Sequence, residues 1–349
     1  MELIQIAEKF ELVGKVVSVE PYGEGHINRT YLVTTDKQRY IMQKINTALF
    51  TNVEALMNNI VAVTEFIKNK TESEGKDSSR CTLIVIPTKD GKKYFTNEEG
   101  SYRTYEFIEG AKAYQSATAE LFKQSGVAFG KFANDLSKFN ASVLYEVLPS
   151  FHDTTVRYQN FLNAIKNNKS GRANKVQAEI EFVKSREKYC GILVNAIKNG
   201  EIPLRVTHND TKLNNVMLDN VTGEPVAVID LDTVMPGSVC YDFGDSIRFG
   251  CNTGKEDDEN LDNVTFSKAL YDSYYDGYVS AFPSITDRER ELLPYGALLM
   301  TFECGMRFLT DYLDGDTYFR TTRENHNLDR CHTQFKLVEE MEKIFNFKA

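Results

Sequence analysis

The sequence predicts an α+β chain of two lobes, a small antiparallel sheet followed by a mainly helical region. Three observations predict it. Residues 1–110 contain short β-type runs separated by turn residues, with one long helical pattern among them. From residue 111 onward, apolar residues recur at three- and four-residue spacing through several long segments. Inside that helical half stands a single hairpin pattern, residues 216–229, flanked on both sides by His, Asp and Asn. The expected division is therefore an N-terminal lobe over 1–110 and a C-terminal lobe over 111–349.

Bulk composition narrows the class. At 349 residues the chain is long enough for two domains or one two-lobed enzyme. Hydrophobic content of 42% and charged content of 26% are those of an ordinary globular protein. A net charge of −9 and a pI near 5.3 argue against a nucleic-acid binder, which needs a basic face. The six cysteines show no C-x-x-C spacing, which predicts reduced thiols and a cytoplasmic setting. His326, Cys331 and His332 cluster, but at a spacing that fits no zinc pattern. The first residues carry acids and no apolar core, so no signal peptide is expected, and no run reaches the length of a membrane span.

The elements follow in order. Leu3, Ile6, Ala7, Phe10 and Val13 predict a helix over 3–13, ended by Gly14. A strand begins at Val16, and Y-L-V and R-Y-I-M-Q-K-I give two more after glycine and T-T-D-K turns. Gly23 and Gly25 resemble the first two glycines of a phosphate-covering loop, with Asn28 in the third place; glycine lets backbone N–H groups approach phosphates closely. The third strand should carry the cation for the phosphates. Lys44 is the candidate, but Gln43 is its neighbour, and only one of two successive strand residues can face a given side. A helix over 52–70 places Glu54 early, within possible reach of Lys44, with Glu65 as a second partner. Residues 70–79 read as a connection, and three further runs complete a five-stranded sheet. The last of them ends at E-F-I-E-G, a hinge where backbone groups of Glu106 and Ile108 would meet an adenine ring. Beyond it, helices are predicted over 117–137, 156–167, 174–199, 266–282, 287–311 and 332–347. Arg307 and Asp311 lie one helical turn apart, which fits a surface ion pair.

The chemistry concentrates in V-T-H-N-D-T-K-L-N-N-V-M-L-D and the following V-I-D-L-D. Phosphoryl transfer from ATP needs a carboxylate to take the proton of the attacking hydroxyl, and an amide and a second carboxylate to hold Mg²⁺ against the phosphates. Asp210, Asn215 and Asp230 supply those three, and H-x-D-x-x-x-x-N before a hairpin ending in Asp has the spacing of a kinase catalytic loop and metal aspartate. Asp232 is the next carboxylate in line for the base. Asp242 and Asp245 read as braces of the loop rather than substrate contacts.

Taken together, the glycine loop, H-N-D-T-K-L-N-N and V-I-D-L-D resemble the aminoglycoside phosphotransferase and choline kinase superfamily, over residues 14–345. The resemblance implies a protein-kinase-like bilobal fold that phosphorylates small molecules with ATP and Mg²⁺. Y-G-E-G-H-I-N-R-T-Y, Y-I-M-Q-K-I-N and R-F-L-T-D-Y-L-D-G-D-T-Y-F are similar to one branch, the N-acetylhexosamine 1-kinases. That branch acts on the anomeric hydroxyl of N-acetylglucosamine and N-acetylgalactosamine. By this resemblance Asp210 falls on the base, Asp230 on the metal carboxylate, and His26, Arg307 and Tyr318 on sugar-contacting positions. A kinase for another small hydroxyl compound, and a nucleotide-binding protein without catalysis, are the alternative readings.

Overall fold

Short turns impose the pairing of the N-terminal strands in the computed structural model, which describes residues 1–23, 27–115 and 118–348. Helix α1 (Leu3–Ala7) stops sooner than the spacing over 3–13 predicts, because Phe10 leaves it to bridge Thr88 and bury its ring. Strands β1 (Val16–Pro21), β2 (Arg29–Thr35) and β3 (Arg39–Ile45) pair antiparallel in sequence order. Helix α2 (Val53–Ser73) starts at Asn52, whose side chain accepts from Ala55 N at 3.0 Å. It buries Leu56, Met57, Ile60, Val63 and Ile67, the apolar face that its sequence spacing marks out. Strands β4 (Val85–Ile86), β5 (Phe95–Asn97) and β6 (Gly100–Glu106) complete a sheet of order β1-β2-β3-β6-β4, with β5 also on β6. The strands β4 and β5 are shorter than their apolar runs suggest, since they share one edge of β6, β4 at Thr104 and Tyr105 and β5 at Gly100 to Tyr102. Ile6, Phe10, Val33, Tyr40, Met42 and Tyr102 form the core beneath this sheet.

Helices dominate after strand β7 (Ala111–Lys112). They are α3 (Ala119–Asp135), α4 (Thr154–Asn167), α5 (Gln177–Ser185), α6 (Glu187–Cys190) and α7 (Ile192–Lys198). The last three replace the single helix predicted over 174–199, which turns at Arg186 and Gly191. Strands β8 (Arg205–Thr207), β9 (Val216–Asp219), β10 (Pro225–Val228) and β11 (Met235–Gly237) carry the motif region, with β9 and β10 pairing as the predicted hairpin. The chain ends with α8 (Val239–Gly250), α9 (Lys268–Ala281), α10 (Asp287–Asp314) and α11 (His326–Ile344). The last begins six residues before the predicted start at 332, so that His326 lies in its first turn. The α+β reading holds, with an antiparallel N-terminal sheet and a helical C-terminal part. Among the described residues no helix is long and apolar enough to cross a membrane.

Two compact units result. One comprises Met1–Ala113, Ser142–Leu148 and Val216–Met235; the other comprises Tyr114–Ala141, Pro149–Asn215 and Pro236–Ala349. A contiguous cut after residue 110 differs from this division, because the hairpin joins the first unit. Strand β9 pairs with β7, Ala111 opposite Asp219. Asn59 of α2 donates to Tyr145 O at 2.7 Å and Val234 O at 2.9 Å. These bonds outweigh sequence distance.

In the second unit, α8 lies against α10 at backbone distance. A Cβ on Gly244 would stand 2.3 Å from Gly296 O, and one on Gly296 would stand 2.2 Å from Cys240 O. Two rigid backbones cannot part by a rotamer change, so only glycine allows this approach. Gly244→Ala should therefore destabilise the fold by about 1–3 kcal/mol through overpacking. Urea unfolding of the variant against the parent chain checks this.

Candidate active site

The motif loop is irregular backbone that α8 organises. After β8 the chain passes through Asn209, in the left-handed region at φ 64°, to a 3₁₀ turn at Leu213–Asn215. Asp242, in the first turn of α8, takes the N–H of His208 at 2.7 Å on one oxygen and that of Asn209 at 2.8 Å on the other. Burial pushes its carboxyl up to about 6, against the pull of His208 and those two N–H donors. One turn on, Asp245 accepts from Thr211 N at 3.2 Å, and Ser246 Oγ donates to Thr211 O at 2.7 Å. Asp245 is itself held by Arg248, whose Nη1 reaches Glu256 at 2.9 Å. Both acids thus brace the loop, as the sequence suggests. His208 is wholly buried edge-on against Phe129 and Phe132 of α3, and Asp210 N donates to its Nδ1 at 3.2 Å.

Two polar side chains of this loop stand side by side. Asp210 keeps its side chain about one quarter exposed at 24%, with one oxygen 2.6 Å from Lys212 Nζ. Asn215 donates Nδ2 to Asp210 O at 2.8 Å, which commits the nitrogen and leaves its carbonyl oxygen as the free end of the amide. The structure brings Asp210 and Asn215 together in one loop.

In the first unit, the hairpin β9–β10 ends in a tight turn. Asp230 sits in the left-handed region at φ 60°, ψ 57°, and Leu231–Thr233 form a 3₁₀ turn. Asp232 does not suit the role of alternative base. It is 3% exposed, forms an ion pair with Arg103 Nη1, and accepts from Asn28 Nδ2 at 2.6 Å. Arg103 is itself 1% exposed and gives Nε and Nη2 to Gln43 Oε1 at 3.0 and 2.8 Å. Gln43 therefore shares the face of the Asp232 turn. Lys44, expected on that side, points the other way, its ammonium 5.9 Å from the Tyr102 ring and its stem beside Gly100. The reason is the two-residue period of β3, which puts Gln43 opposite Arg103 and Lys44 opposite Tyr102.

Other predicted groups of this unit are placed as follows. Gly23 has φ 72°, a turn conformation that suits glycine. Gly25 and His26 lie outside the described residues. Glu106 ends β6 and donates its N–H to Ile84 O at 2.9 Å, and Phe107 N donates to Arg39 O at 3.2 Å. Ile108 is buried, and its N–H has no partner among the described residues.

The second unit also holds Arg307 and Tyr318. Arg307, on α10, is half-buried among rings, 5.6 Å from the centroids of Phe151 and Phe319 and 5.9 Å from that of Tyr318. It has no carboxylate partner among the described residues. The expected pair with Asp311 does not form, because Asp311 turns to the next loop. It accepts the N–H of Thr317 at 2.9 Å, Tyr318 at 2.8 Å and Phe319 at 2.9 Å, and Asn327 Nδ2 at 2.8 Å. That loop presents Tyr318 with its ring 68% exposed. Glu303, one turn before Arg307, is also taken. His152 Nδ1 lies 3.1 Å from one oxygen, and Thr154 Oγ1 donates to the other at 2.5 Å. Although burial opposes it, these partners and Arg307 hold the Glu303 carboxyl below its usual range. A second guanidinium, Arg157, feels Arg307; burial and that neighbour both lower its pKa. Burial pushes the Cys304 thiol up to about 11, against the pull of Arg248 and Arg307.

Sequence reading missed Arg103, His152 and Glu303. Arg103 left a faint signal, a charge inside the strand S-Y-R-T-Y-E. His152 reads as a surface or capping residue and is instead buried; nothing in L-P-S-F-H-D indicates that Glu303, 151 positions away, receives it.

Comparison with known proteins agrees with this geometry. The model of the phosphotransferase enzyme family matches residues 18–275. Among solved structures, a microcompartment-associated aminopropanol kinase superimposes with TM-score 0.61 at 16% identity, over 98% of this chain and 96% of that one. An aminoglycoside phosphotransferase from Alicyclobacillus acidocaldarius gives 0.62 at 11% identity, over 99% and 94%. A choline kinase from Cryptosporidium parvum gives 0.60 at 14% identity, over 99% and 95%. At these identities the structures share a fold with this chain, while the family match covers most of its length. A loop with one accessible carboxylate, an oriented amide and a hairpin ending in aspartate is what that family match spans, and the chain belongs to the phosphotransferase enzyme family.

Proposed function

We propose that this protein transfers the γ-phosphoryl group of ATP to the anomeric C1 hydroxyl of an N-acetylhexosamine. Asp210 is the base: it is the loop carboxylate with solvent access, and Asp232 is sealed by Arg103 and Asn28. Asn215 and Asp230 are the Mg²⁺ ligands. Both offer oxygen, the donor that hard cations take, and the bond from Asn215 Nδ2 to Asp210 O commits its nitrogen and not its oxygen. When bound, Mg²⁺ neutralises charge on the transferred phosphoryl group. The adenine would meet the Ile108 N–H and the Glu106 carbonyl at the hinge, and the backbone around Gly23 and Gly25 would cover the phosphates. Lys44 could join only through a change of face.

The observation that carries the choice of acceptor is the setting of Arg307. A half-buried guanidinium ringed by Phe151, Tyr318 and Phe319, with Arg157 beside it, repels a cationic amine. The acids around it are committed, Glu303 to His152 and Thr154 and Asp311 to backbone N–H groups. Amino alcohols and aminoglycosides are held by carboxylates, which Glu303 and Asp311 do not offer here, and the rings that could take a quaternary ammonium already face the Arg307 guanidinium. A neutral, oxygen-rich sugar fits: the guanidinium donates to ring oxygens and Tyr318 stacks on an apolar sugar face. His26 adds a sugar contact by resemblance. The C1 hydroxyl is the most acidic hydroxyl of a free sugar, so a carboxylate base assists most readily there.

Three measurements test this reading. Asp210→Asn keeps shape and removes basicity, so kcat should fall by about 10²–10⁴ while the Kd for ATP stays close to that of the parent. Excess chelator should abolish turnover, and Asp230→Ala should resist rescue by moderately raised Mg²⁺. In a panel of acceptors, N-acetylglucosamine or N-acetylgalactosamine should give an acid-labile 1-phosphate, methyl glycosides nothing, and choline nothing. A 6-phosphate product would overturn the anomeric assignment, and ready turnover of choline would overturn the sugar.

A further inference from the structure

The buried polar cluster at the end of the metal hairpin is more than packing. Asp232 receives Arg103 from β6 and Asn28 from the start of β2. Asn28 has a second bond, accepting Asn46 N at 2.9 Å from the segment after β3. Gln43 completes the cluster, holding two Arg103 nitrogens and donating to Thr30 Oγ1 at 3.1 Å. One carboxylate thus gathers the sheet, the exit of the glycine hairpin and the turn that carries Asp230, all within the first unit. A buried ion pair adds little net stability, because desolvation offsets attraction, but it demands one geometry. Asp230 needs such a constraint. Its left-handed backbone at φ 60° is a sparsely populated state for a non-glycine residue and persists only where its surroundings hold it.

We propose that Arg103 and Asn28 are positioning residues for nucleotide binding, acting through Asp232 to hold the Asp230 turn and the exit of the glycine hairpin in one fixed relation. This rests on the phosphotransferase reading above but not on the identity of the acceptor. Asn28 stands where a third glycine would leave the loop untied, and its amide ties it. Gln43 occupies the strand position facing the turn, and the cation on that face comes instead from Arg103, spent on Asp232 rather than on phosphate.

The test measures ATP affinity without acceptor, by displacement of a fluorescent ATP analogue in the presence of Mg²⁺. Asn28→Ala and Asp232→Asn should each weaken ATP about tenfold. The double variant should lose far less than the product of the two single losses, since the Asn28 amide and Asp232 share one bond and only the Asn46 contact of Asn28 is separate. Acceptor KM should stay at the parent value. Arg103→Lys should retain more ATP affinity than Arg103→Met. Should Arg103→Met fail to fold by stranding Asp232, the pair Arg103→Met with Asp232→Leu removes both charges and should fold but bind ATP weakly. Parental ATP affinity with only a lowered Tm, or additive losses in the double variant, would overturn the proposal. Absence of sugar turnover in the parent chain would sink the acceptor assignment and leave these binding results readable.

Discussion

The site depends on a carboxylate at the start of a helix. Asp242 spends both oxygens on the N–H groups of His208 and Asn209, and nothing regular in the loop could satisfy those donors. A buried backbone N–H without a partner costs free energy comparable to a lost hydrogen bond, so the loop and the first turn of α8 stand or fall together. The position of α8 is set in turn by glycine contacts with α10, which permit no side chain between them. Helix packing, helix capping and loop geometry form one chain of dependence that ends at Asp210.

The two units solve the same problem by different chemistry. In the second, backbone donors are collected by acids of one helix. In the first, a charged side chain buried in the sheet collects a carboxylate from the hairpin, and an amide closes the arrangement. In both cases a candidate reactive group stands near a buried, bonded one. Asp210 stays accessible beside the buried His208, and Asp230 precedes the sealed Asp232 by two residues.

The surroundings of Arg307 bear on the proposed acceptor. Aminopropanol kinase and choline kinase folds superimpose over nearly the whole of this chain, so backbone architecture does not distinguish their substrates. The distinction lies in a few side chains. Around Arg307 the acids Glu303 and Asp311 are used internally, which leaves the guanidinium set among rings. On the function proposed above, that setting would disfavour a cationic acceptor on electrostatic grounds.

Much of this was legible in order along the chain. Period-2 and period-3.6 patterns marked the sheet, the long helices and the hairpin, because local backbone preference and burial agree there. The spacing of His208, Asp210, Asn215 and Asp230 marked the candidate site, because the motif residues lie close together in sequence. Asp242 and Asp245 were legible as braces for the same local reason. Decisions that rest on which face a residue takes, or on partners far apart in sequence, were not legible. The choice between Gln43 and Lys44 turned on pairing with Arg103, 60 positions away. The burial of Asp232 turned on Asn28, 204 positions away, and that of His152 on Glu303. Asp311 looked like an ion-pair partner by helical spacing, yet three N–H groups of the next loop claimed it. Sequence alone determined the kind of protein and the candidate reacting groups, through spacing and composition; tertiary structure decided which charges are sealed in buried pairs, because a charge's role depends on neighbours that only folding brings within hydrogen-bond reach.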